Sequence, residues 1–140
     1  MRIKENYEIN SEWDIVDARR YTKKVCIKLG FDFITQAYIV NFISELCQNM
    51  YTVAQSGILS VEAIIEETRR GIAIKAVDNG PGIAKMTDFL LENNINEDSS
   101  DSRLNVIGMR RWFDEFAIAS VEAGVKGLEI TVIKWLTTGE

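Results

Sequence analysis

Apolar side chains recur along the first fifty residues at three- and four-residue intervals, and beyond residue 58 the interval shortens to two. Ile15, Ala18, Thr22, Val25 and Leu29 fall on one helical stripe. Ser11 ahead of it, with Asp14 three residues on, has the form of a capping box, and Gly30 supplies a stop. A second, longer helix is expected from Thr35 to about Val53, with Ile39, Phe42, Ile43, Leu46, Cys47 and Met50 facing a core. Residues 2–9 suit a short edge strand. From Ile58 to Ile65, Leu59, Val61, Ala63 and Ile65 alternate with Ser60, Glu62 and Ile64, the period of a half-buried strand. The turn "TRRG" (68–71) then leads to a strand over 72–77, and the pair reads as a hairpin.

Past mid-chain the pattern predicts a helix over Lys85–Glu92, with Met86, Phe89 and Leu90 inward. Residues 93–105, "NNINEDSSDSRLN", read as a polar, acidic loop. Met109, Trp112, Phe113 and Phe116 suggest another helical face over 107–116, and "LEITVIKWL" (128–136) a final strand. The expected order is β-α-α-β-β-α-loop-α-β. Such an order suits a two-layer α/β sandwich, a mostly antiparallel mixed sheet with helices on one face, in one domain spanning 1–140.

Composition narrows the function classes. With 46% apolar and 26% charged residues the chain has a globular balance. A net charge of −5 and no run of Lys or Arg argue against general nucleic-acid or anionic-membrane binding. No apolar stretch reaches the length of a membrane span and no secretory signal follows the start, so a cytoplasmic protein is expected. Cys26 and Cys47 fall on apolar helical stripes and read as reduced core cysteines. There is no histidine, which makes a zinc site a poor reading and leaves catalysis to carboxylates or a metal.

Two stretches could carry such chemistry. In "ISELCQN" (43–49), Glu45 and Asn49 stand four residues apart on a helix, so a carboxylate and an amide oxygen share one face. A hard cation such as Mg²⁺ accepts an amide oxygen and retains waters, while a nearby carboxylate can orient a hydroxyl. Two solvated helix residues would read the same way. In "VDNGPGI" (77–83), Asp78 closes a strand, Gly80 and Gly82 permit close backbone approach, and Pro81 stiffens the link. The carboxylate could accept a hydrogen bond from an exocyclic amine such as adenine's, and a plain strand-to-helix turn fits equally well.

Together, the E-x-x-x-N helix and the D-x-G-x-G turn resemble the nucleotide-binding boxes of the GHKL ATPase superfamily, and within it the RsbT-type serine kinases of bacterial stress signalling. The likeness is carried by "EWDIVDAR" (12–19), "LGF" (29–31), "ISELCQN" (43–49), "DNGPGI" (78–83), "RRWFDEF" (110–116) and "IKWL" (133–136), spread over nearly the whole chain. The resemblance implies a Bergerat α/β sandwich that binds ATP and Mg²⁺. Asp78 would hold the adenine amine, with Gly80 and Gly82 admitting the base. Asn49 would coordinate Mg²⁺, and Glu45 would orient or deprotonate the attacking serine hydroxyl. Such kinases phosphorylate STAS-domain antagonist proteins and bind a second, phosphatase-type partner, so that phosphorylation switches partners.

Two stretches depart from the family pattern. Aligned on "MRRWFDEF", the glycine-rich ATP lid (about 93–107) carries Asp101, Arg103 and Asn105 where glycines are expected, and Gly108 remains. Side chains there crowd a close phosphate approach, and Glu97, Asp98 and Asp101 repel an anionic triphosphate. In "GVKGLE" (124–129), Leu128 replaces the usual hydroxyl residue near the adenine carboxylate. Two readings follow: an active MgATP-dependent kinase, or a binding module on the same fold that acts by protein competition without ATP turnover.

Overall fold

A computed structural model of the 140-residue chain describes residues 1–51, 57–81, 108–120 and 126–136. Strand β1 (Arg2–Ile9) leads into helix α1 (Glu12–Leu29) and helix α2 (Phe33–Asn49). Strands β2 (Gly57–Ile65), β3 (Arg70–Pro81), β4 (Glu115–Ser120) and β5 (Lys126–Leu136) follow. They form a five-stranded sheet in the order β1-β2-β3-β5-β4. All the pairings among the described residues are antiparallel, so the sheet they form is not mixed.

Local chemistry sets the helix limits. The Ser11 side chain accepts from the Asp14 N–H, and the Asp14 carboxylate accepts from the Ser11 N–H at 2.9 Å, which closes the capping box. Gly30 ends α1 in the left-handed region, φ +99°, where its N–H reaches the carbonyls of Cys26 and Ile27. The next helix begins two residues ahead of Thr35, because Asp32 caps it by accepting from the Thr35 N–H at 2.7 Å. This bond also holds the Asp32 carboxyl below its ordinary pKa. The regular part of α2 ends at Asn49; Val53 lies outside the described residues.

Pairing register assigns the faces of the sheet. Leu59, Val61 and Ala63 lie opposite Ala76, Ile74 and Ile72, which in turn face Ile130, Val132 and Lys134. The apolar members of this set are buried with Ile15, Ala18, Cys26, Ile39, Phe42, Ile43 and Leu46 in one core. Helices therefore cover one face of the sheet, as the alternating pattern requires. On the other face Trp135 lies over Gly71, with the Arg69 guanidinium 3.6 Å above the indole and Glu115 accepting from its Nε1 at 3.2 Å.

One expected helix is overturned. Of the helix expected over 107–116, the described residues 108–116 hold a single 3₁₀ turn, Met109–Trp112, and the chain then enters β4. The spacing of Met109, Trp112, Phe113 and Phe116 mimics a helical face, but tertiary pairing takes the backbone. The Asp114 carboxylate accepts from the Trp135 N–H at 2.7 Å, and the Asp114 N–H donates to the Ile133 carbonyl at 2.9 Å. Phe116 and Ile118 then turn to the helix-covered face while Glu115, Ala117 and Ala119 turn away. The helix expected over 85–92 and the loop over 93–105 lie outside the described residues.

Candidate functional site

Asp78 stands four residues beyond Ile74 and two beyond Ala76 on β3, so strand alternation directs it to the helix-covered face. Its neighbours across the sheet are Gly57 on β2 and Leu128 on β5. Just past it the β3–β5 register shifts, between Asp78 and Pro81, and the ladder resumes at Pro81 opposite Lys126. Gly127, beside Leu128, is buried and left-handed at φ +78°. A regular sheet thus becomes irregular one residue after the half-buried carboxylate, and Gly80 lies within that irregular stretch.

A glycine opposite Asp78 brings in the second component. A Cβ on Gly57 would collide with the Met50 side chain and come within 3.0 Å of the Val77 carbonyl oxygen. Met50 is the C-cap of α2, the residue after Asn49. The C-terminal end of α2 is therefore seated on the ends of β2 and β3 where Asp78 stands. Asn49 is 4% exposed in this seat, an uncommon place for an amide, and Glu45 is half-buried one turn earlier. Asn49 and Asp78 each have an interaction partner.

The third component is the segment after residue 107. Gly108 precedes the 3₁₀ turn with φ −61° and ψ −27°, a conformation open to any residue. The turn is fastened to α2 by two ring pairs. Trp112 stacks on Tyr38 with centroids 4.6 Å apart, and buried Phe113 meets Phe42 edge-on at 4.6 Å. Glu45, Asn49 and the anchor of Gly108 are thus all referred to one helix. Gly82 and the positions 101–105 fall outside the described residues.

Gly57, Met50, Trp112 and Phe113 position this arrangement, and reasoning from residue patterns did not single them out for that role. A glycine opening an apolar strand was the available signal for the first. No three His, Cys, Asp or Glu side chains among the described residues could hold a metal ion by themselves. A Mg²⁺ ion that kept its waters and phosphate ligands would still find one hard oxygen donor in the Asn49 amide. Among the described residues no helix is long and apolar enough to cross a membrane.

No profile of a known protein family matches the chain. The chain is similar to the serine/threonine-protein kinase RsbT of Bacillus subtilis (strain 168), with 39% identity over 128 residues, covering 91% of this chain and 93% of that protein. At that identity and coverage, this chain belongs to the RsbT family of serine/threonine-protein kinases.

Proposed function

We propose that the chain is an MgATP-dependent protein-serine/threonine kinase that acts as a partner switch, phosphorylating a STAS-domain antagonist and thereby exchanging it for a second, phosphatase-type partner. The observation that carries this is the seating of α2 against the strand ends. It brings a buried amide, Asn49, and the Asp78 carboxylate to one end of the sheet in a chain 39% identical to a kinase. The fold proposed is the Bergerat sandwich of the GHKL superfamily, supported by two helices on one face of an antiparallel sheet.

In this reading Asp78 accepts the adenine amine, with Gly80 and Gly82 admitting the base, and Gly108 lies at the phosphate side. Asn49 offers its amide oxygen to Mg²⁺, which when bound would neutralise phosphate charge. Glu45 orients the serine hydroxyl and takes its proton as the new oxygen–phosphorus bond forms and the bond to ADP breaks. A second reading, an ATP-independent binding module, is favoured by Asp101, Arg103 and Asn105 at lid glycine positions.

Calorimetric titration with MgATP, beside phosphate transfer to a STAS-domain substrate, separates the two. The kinase reading expects micromolar binding and transfer that Glu45→Ala abolishes. It also expects Asp78→Asn to weaken nucleotide binding by roughly 10- to 100-fold, the worth of one hydrogen bond to a charged group. No heat from MgATP with STAS binding retained would leave only the competing module.

A further inference from the structure

The outer surface between α1 and α2 carries two contiguous hollows, of about 290 and 300 Å³, that share Arg19, Lys23 and Val40. One wall is cationic, with Arg19, Arg20 and Lys23 exposed along α1. The opposite wall and floor carry Phe33, Ala37 and Val40 from α2 and Val16 from α1, with the polar Gln36 and Asn41 beside them. Phe33 is 79% exposed, and its neighbour Ile34 is 61% exposed. None of the three cations forms an ion pair among the described residues. In a chain of net charge −5 this is a local inversion of sign: α1 alone holds Arg19, Arg20, Lys23, Lys24 and Lys28.

Direction adds meaning to the groove. Ala37, Asn41 and Glu45 are spaced four residues apart on α2 and so form one stripe along its surface. Asn41 lines the groove, and Glu45 lies one helical turn further, about 6 Å along the axis. The groove therefore opens toward the carboxylate assigned to the acceptor hydroxyl. Small and branched side chains on its floor let a helix lie close, and the basic wall selects acidic flanks.

We infer that the α1/α2 groove is a docking site for an acidic amphipathic helix of the protein substrate, which leads its acceptor residue toward Glu45. The occupant is fixed by charge: an apolar stripe over Phe33, Ala37 and Val40, with carboxylates against Arg19, Arg20 and Lys23. The direction toward Glu45 rests on the kinase reading, whereas the docking itself does not.

The test uses the full chain, ¹⁵N-labelled and free of nucleotide, titrated with a synthetic helix of about 18 residues bearing leucines at three- and four-residue spacing and glutamate flanks. A matched helix with lysine flanks serves as counterpart. Shifts should concentrate at Arg19, Arg20, Lys23, Ala37 and Val40 with the acidic helix only. The double substitution Arg19→Glu/Lys23→Glu should weaken binding at least roughly tenfold, and Phe33→Ala by roughly fivefold, both at unchanged thermal midpoint. Binding of a fluorescent ATP analogue should be unaffected by either variant and weakened roughly 10- to 100-fold in Asp78→Asn, while Asp78→Asn keeps the acidic helix. Shifts scattered over the sheet, or equal response to the lysine-flanked helix, would overturn the proposal whatever the nucleotide result. Loss of nucleotide binding in the unsubstituted chain would instead sink the kinase reading and leave the groove standing.

Discussion

The Asp78 end and the Gly108 end of the candidate site are built by different means. At the first, backbone defines the position: Asp78 is paired on both sides, and the absence of a side chain at Gly57 lets Met50 lock α2 in place. At the second, side chains do the work, since Trp112 and Phe113 reach across to Tyr38 and Phe42. Ladder positions fix a carboxylate to a small fraction of a residue spacing, whereas ring contacts tolerate substitution and sliding. The "DNGPGI" end carries the resemblance to a nucleotide site, and one of the departures from the family pattern, Leu128, stands directly opposite Asp78.

Perturbing each end separately should sharpen this contrast. Phe113→Ala removes a buried ring from the edge of Phe42 and should cost about 3 kcal/mol, read as a lower urea midpoint. Its effect on nucleotide affinity should be confined to phosphate contacts, so that adenosine and ATP analogues lose their difference. If adenosine binding falls equally, the two ends are not separable.

Alkaline pH attacks the shared core instead. Burial pushes the thiols of Cys26 and Cys47 up from 9.0 to about 12. A folded pKa above the unfolded one means that the stabilising effect is complete below pH 9 and is lost as pH rises toward 12. Each thiol should remove up to about 1.4 kcal/mol per pH unit in that window, and Cys47→Ala should flatten the slope by about half. A stability curve level from pH 8 to 10 would contradict it.

Gly57→Ala strikes the Asp78 end. The new methyl must displace Met50 or the Val77 carbonyl, so unfolding should become easier by about 2 kcal/mol, with adenine affinity lost in parallel. The smallest effect is expected from Tyr38→Ala. It removes one stacked partner of Trp112 at a half-open surface and should cost about 1 kcal/mol, with a change in Trp112 emission as direct readout.

Much of this architecture is legible from residue order because the core uses unmixed periods. Leu59-Val61-Ala63 can bury only as a strand, and Ile39-Phe42-Ile43-Leu46 only as a helix. The start and stop of α1 are written in Ser11, Asp14 and Gly30. Three features were not legible. Asp32 as a cap is hidden by the apolar Phe31 and Phe33 on either side of it. Strand β4 is hidden because Met109, Trp112, Phe113 and Phe116 satisfy a helical spacing, and the arbiter is a long-range bond from the Trp135 N–H to Asp114. The burial of Asn49 follows from no apolar pattern; the seating of Met50 on Gly57 places it. Glu45, Asn49 and Asp78 could be picked out by spacing and by resemblance. What brings the Asn49 end of α2 to Asp78 needed three dimensions.

The pairing of β1 with β2 has a consequence in time. Arg2 lies beside Ile64, and the Met1 amino group reaches the Ile65 carbonyl, a separation of 64 residues. At about 5–20 residues per second of synthesis, the first strand leaves the ribosome roughly 3–13 s before its neighbour exists. Both helices emerge in that interval and can pair with each other. Meanwhile the strand carries its own protection, since Lys4, Glu5 and Glu8 charge a segment that would otherwise offer an open edge to any nascent chain nearby. The strand and its neighbour are thus made seconds apart, and the strand's charge suits the wait.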